Sequence, residues 1–114
     1  MPFTLTSKPT YRFKVTIRRP AGDGSGGWDS FEFLAEFRHL PQPDIDALFA
    51  SPPEGGDRGV LDRVLVGWSG VKQPDGTDLP ADDVGRTALL AEPGVQRALV
   101  AAWIESVARG PAKN

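Results

Sequence analysis

Two alternating apolar–polar runs, separated by a glycine-rich gap, restrict this chain more than any other feature. From Thr10 to Arg19, Tyr11, Phe13, Val15 and Ile17 alternate with Arg12, Lys14, Thr16 and Arg18. A period of two in aromatic and β-branched residues marks a strand with one face buried. Pro20 ends the run, because proline has no N–H to give a ladder. A second run spans about Trp28 to Arg38. Phe31, Phe33, Ala35 and Phe37 face one way; Ser30, Glu32, Leu34, Glu36 and Arg38 face the other. The gap, Ala21 to Gly27, is a hairpin connection. The polar face of the first strand is basic and that of the second acidic. Antiparallel pairing therefore sets Arg12, Lys14 and Arg18 near Glu32 and Glu36, each such pair contributing up to about 1 kcal/mol.

After Pro41 the period changes. Ile45, Leu48 and Phe49 recur at helical spacing behind Pro43, which suits a first turn. Asp57 is expected to cap a second helix carrying Val60, Leu61, Val64 and Leu65, with Trp68 continuing the stripe and Gly67 and Gly70 near its end. Pro74-Asp75-Gly76 signals a turn. A third helix is expected over about Ala81 to Glu92, although Gly85 weakens it by about 1 kcal/mol relative to Ala. In the last helix, Val95, Leu99, Ala102, Trp103, Ser106 and Val107 keep a three-and-four spacing, with Pro93 in its first turn and Gly110-Pro111 closing it. The expected fold is α+β: an N-terminal antiparallel β-hairpin followed by about four α-helices. The expected organisation is a flexible segment over 1–9, one domain over 10–110 (hairpin 10–38, helical part 41–110), and a tail over 111–114.

Composition excludes several functions. The chain has 114 residues, no Cys, a single His (His39) and a formal net charge of −2. Without cysteine there is no disulfide framework, thiolate metal site or Cys nucleophile. A mildly acidic chain lacks the basic footprint of a nucleic-acid binder and any attraction to an anionic membrane. No leader-like or membrane-length apolar run stands out, so a cytoplasmic location is expected.

The motifs that invite chemistry each fall short. The Gly22–Gly27 loop lies between two strands rather than ahead of a helix, so it is a hairpin tip and not a phosphate cradle. Read as a calcium loop from Asp23, its twelfth position holds Leu34 in place of a bidentate Glu. Gly67-Trp68-Ser69-Gly70 has Val71 where a nucleophile elbow needs glycine. Asp75, Asp78, Asp82 and Asp83 are a carboxylate cluster that ordinary turn and helix-start roles account for. No catalytic, cofactor or metal residue is therefore assigned. Trp68, Leu99 and Trp103 are expected as structural anchors of the core. Trp28, at the loop exit, and Phe31 are the candidate partner-binding residues, since an exposed aromatic buries much area at little entropic cost.

The order of features beyond Val60 resembles a known family. Leu61-Asp62-Arg63-Val64-Leu65-Val66-Gly67-Trp68-Ser69-Gly70-Val71 precedes Pro74-Asp75-Gly76 and Leu79-Pro80. Leu89-Leu90, Pro93-Gly94-Val95 and Ala102-Trp103-Ile104-Glu105-Ser106 follow, and Lys113-Asn114 ends the chain. This order is similar to that of the small tail assembly chaperones of long-tailed bacteriophages and prophages. Ala81 departs from it, standing where the family has an aromatic–Ser pair, and Gly85 is unusual within a helix. The resemblance implies a non-enzymatic protein without cofactors that binds the tape-measure protein and the major tail protein during tail assembly, in the host cytoplasm, and is missing from the mature virion. A structural minor tail or tail-completion protein is the alternative. A small ligand- or metal-binding module built on Asp75–Asp83 is a third reading.

Overall fold

A computed structural model describes residues 2–5 and 8–108 of the chain. Within the expected 1–9 segment, residues 2–5, 8 and 9 have no regular structure; Met1, Thr6 and Ser7 lie outside the described residues, as do the Gly110-Pro111 stop and the 111–114 tail. The elements are β1 (Thr10–Pro20), β2 (Trp28–Arg38), α1 (Gln42–Ala50), α2 (Asp57–Val64), β3 (Leu65–Ser69), α3 (Asp83–Ala91) and α4 (Val95–Ala108). The fold is α+β, with an antiparallel sheet in the order β1-β2-β3.

The hairpin runs in unbroken register from Thr10 opposite Arg38 to Pro20 opposite Trp28. Its tip is held by its own side chains: the Ser25 N–H donates to Asp23 Oδ1 (2.9 Å) and the Gly27 N–H to Ser25 Oγ (3.0 Å). Gly22, Gly24 and Gly26 take φ near +80°, a region closed to most side chains. The expected ion pairing is only partly realised. Lys14 reaches Glu32 diagonally (3.6 Å), but Glu36 accepts from the Thr10 hydroxyl (2.6 Å), and neither Arg12 nor Arg18 forms an ion pair among the described residues. Exposed charges gain little from contact, so a shorter hydroxyl bond displaces them.

The principal correction concerns Trp68. It lies on β3, not on a continuation of the second helix, which ends at Val64. β3 pairs antiparallel with β2, Ala35 opposite Trp68 and Phe37 opposite Leu65, with a register shift between Glu36 and Phe37. Val66 is the extra residue of that bulge. A bulge reverses the strand's alternation, so Leu65 and Trp68, three apart, both face the helices. Their helix-like spacing is thus produced by an irregular strand. The Trp68 indole N–H donates to the Leu79 carbonyl (3.1 Å), fastening the loop of residues 70–80 to the sheet.

Helix starts also differ from expectation. Gly56, not Asp57, is the N-cap of α2, and Asp57 stands in its first turn. α3 begins at Asp83, two residues late, because Asp82 is its N-cap and accepts the Gly85 N–H (2.7 Å). Gly85 is buried against the segment that leads into α3: a Cβ there would sit 1.8 Å from the Pro80 oxygen. That close approach explains a glycine whose helix propensity is poor. Pro93 lies in the turn ahead of α4, which starts at Val95.

The helices cover one face of the sheet. α4 lies along β1, reaching from the Arg19–Glu92 ion pair (2.9 Å) near its start to a Tyr11–Ser106 hydroxyl contact (2.7 Å) near its end. Val15, Phe37, Leu61, Val64, Val95 and Leu99 are fully buried in one cluster that also holds Phe33, Leu65 and Trp103. Each fully buried side chain of this size contributes about 1.5–3 kcal/mol. Leu99 and Trp103 therefore stand in the core, while Trp68 is half-buried at its margin.

Candidate functional site

Among the described residues no element covers the outward face of the sheet. Every outward side chain from Arg12 to Arg18 and from Trp28 to Leu34 is exposed. It is mainly polar, with Trp28 (61% exposed) and Leu34 (40%) as its apolar members. β3 pairs only with Leu34–Phe37, so the loop-proximal half of the hairpin extends beyond the third strand.

The two candidate partner-binding residues are not on one surface. Trp28 and Phe31 are separated by an odd number of positions on a regular strand, so they point to opposite faces. Trp28 stands on the bare side opposite Pro20. Phe31, 51% exposed, is on the helix side beyond the end of the core. The Arg19 guanidinium lies 6.0 Å from its ring centre while bonding Glu92, so an arginine partly roofs Phe31. Arg19 and Glu92 were not anticipated as a pair, since 73 residues separate them.

Arg86 is a second residue with no sequence signal. Its guanidinium donates to the carbonyls of Leu65 (2.9 Å) and Leu61 (2.8 Å) and reaches Asp62 (3.3 Å). It thereby adds a charged donor at the carbonyls where α2 turns into β3, that of Leu61 also accepting the Leu65 N–H. Bonds from a charged donor to the main chain contribute about 1.5–3 kcal/mol each at most, less where water competes.

A cleft of about 380 Å³ between the sheet and the end of α4 gathers Tyr11, Arg38, His39, Trp103 and Ser106. The Ser106 hydroxyl donates to the Trp103 carbonyl (2.6 Å), so the Tyr11 hydroxyl is the donor to Ser106. Burial raises the Tyr11 pKa, partly offset because the Ser106 hydroxyl can turn to donate to the phenolate once Tyr11 has lost its proton. His39 packs 4.6 Å from the Tyr11 ring, and Phe49 stacks on Trp103 at 5.5 Å. The Trp103 indole N–H is buried with no acceptor among the described residues. Serine here gives its proton to a carbonyl and histidine lies against a ring, so the cleft assembles no nucleophile with a base.

The aspartates are spoken for locally. Asp75 accepts the Thr77 hydroxyl (2.6 Å) and N–H (3.0 Å), which holds its carboxyl below the usual range. Asp78 pairs with Lys72, and Asp82 caps α3. Among the described residues no three His, Asp or Glu side chains are grouped to hold a metal ion, and no helix is long and apolar enough to cross a membrane. No protein-family model, curated protein or solved structure matches the chain.

Proposed function

We propose that this protein is a tail assembly chaperone of a long-tailed bacteriophage or prophage, acting without catalysis by holding the tape-measure protein while major tail subunits assemble around it. The observation that carries the reading is the ordered set of motifs from Leu61 to Ser106. Its members have coherent structural work: Gly67-Trp68 builds the third strand, Pro74-Asp75-Gly76 turns the loop pinned by Trp68, and Ala102-Trp103 lies in the core. A small body with one uncovered sheet face and an exposed Trp28 suits reversible binding, because a modest patch with one aromatic anchor releases its partner readily.

The test is co-expression with a candidate tape-measure protein from the same genome, followed by pull-down and by proteomics of purified virions. Tape-measure capture together with absence from virions supports the chaperone. Stoichiometric presence in virions makes it a structural tail component instead.

A further inference from the structure

We propose that the free edge of β1, together with the groove between it and α4, takes in an extended partner segment whose alternate residues are acidic.

The hydrogen-bond phase of the hairpin defines which groups are free. The Ala21 N–H donates to the Gly27 carbonyl and the His39 N–H to the Pro9 carbonyl, both at 2.9 Å. Both pairs lie on the register line of the hairpin, so the odd-numbered residues of β1 bond to β2. The N–H and C=O groups of Thr10, Arg12, Lys14, Thr16 and Arg18 therefore point away from the sheet. Among the described residues none of them has a main-chain partner. This is an open ladder about nine residues, or roughly 30 Å, long. The corresponding free stretch of β2, Trp28 to Glu32, is about half that length.

Beside the open ladder runs a groove of about 600 Å³ whose wall on α4 consists of Ala98, Ala101 and Ala102, with Glu105 beyond them. Short side chains there leave room for those of an added strand. A strand paired to β1 places its residues alternately on two sides. One set lies against the alanines and takes small or branched apolar side chains. The other joins the bare face beside Arg12, Lys14 and Arg18, where carboxylates are favoured and cations repelled.

The same column selects against a second copy of the chain. Antiparallel pairing of β1 with a second β1, centred on Val15, sets Arg12 of each copy opposite Arg18 of the other with Lys14 between them, and charged edges of this kind are a common barrier to such pairing. The inference does not depend on the tail-assembly reading; it concerns the chemistry of the segment, whichever protein carries it.

The probe is a capped synthetic peptide of about nine alternating Glu and Val residues. In the full chain its binding should slow amide exchange of Arg12, Lys14 and Thr16 and weaken as salt is added. A Lys/Val peptide should not bind. Ala101→Trp, an exposed change that fills the groove, should abolish binding, and Arg12→Glu with Arg18→Glu should weaken it at least about tenfold while leaving the melting temperature near that of the parent. Equal binding of the Lys/Val peptide, insensitivity to Ala101→Trp, or edge protection that appears without peptide in a dimeric species would each overturn the proposal.

Discussion

Phe37 and Phe31 belong to the same strand and the same face, yet one is fully buried and the other half exposed. Phe37 lies where β2 has a strand on each side and helices above it; Phe31 lies where the hairpin runs on as a two-stranded ribbon. The difference teaches that identical residues in identical local structure owe their energetic weight to what surrounds the strand. Near the cleft, tertiary packing holds the hairpin. Toward the tip, the ladder, the tip's own turns and one arginine do.

Alanine replacement at the two positions tests this most sharply. Phe37→Ala should cost about 3–5 kcal/mol, a full core truncation. Phe31→Ala should cost under about 1 kcal/mol, because its ring is already half in water. Urea unfolding of both variants measures the pair; similar losses would mean that the outer ribbon is part of the core.

Gly85→Ala bears on the body alone. The added methyl meets the Pro80 carbonyl, so a loss of about 1–3 kcal/mol is expected, with amide exchange at the hairpin tip unchanged relative to global stability. The Arg19–Glu92 pair bears on the ribbon. It is about half exposed, and the Arg19 Nε is buried without a partner, so a double-mutant cycle should return only about 0.2–1 kcal/mol. Its loss should nonetheless speed amide exchange around Ile17 and Phe31 before any other region.

Opposite pH extremes should separate the regions with the smallest effects. Burial raises the folded-state pKa of Tyr11, so its contribution is present below the unfolded value and is lost as pH rises through the folded one. Tyr11→Phe should flatten that alkaline decline in stability. At the tip, bonds from the Ser25 hydroxyl and N–H lower the pKa of Asp23. Its contribution is present above the unfolded value and fades as pH falls through the folded one. NMR of the Ser25 amide should follow that loss in acid, and Asp23→Asn should remove it.

The hairpin was legible because its period of two is long and clean. Trp68 was misread because the bulge at Val66 gives Leu65 and Trp68 the spacing of a helix, and the deciding fact, an unfilled edge on β2, lies thirty residues upstream. Gly85 looked like a weak point when read as propensity; a contact with Pro80 makes it a requirement. Leu99 and Trp103 stood where a sustained stripe pointed. Trp28 and Phe31 are both candidate partner-binding residues, but strand parity, readable from their numbers, puts them on opposite faces. Arg86 left no trace at all, because its carbonyl partners are a property of how α2 stops.

The three indoles occupy three depths: Trp28 open to water, Trp68 at the margin and bonded to a carbonyl, Trp103 enclosed with no acceptor for its N–H among the described residues. Each should emit differently. Trp28 should fluoresce at long wavelength and be quenched readily by iodide, Trp103 at short wavelength and hardly at all, with Trp68 between them. The chain thus carries its own unlabelled reporters of tip, sheet margin and core, and a ligand or denaturant that reaches one region first will be seen in the order in which the three bands move.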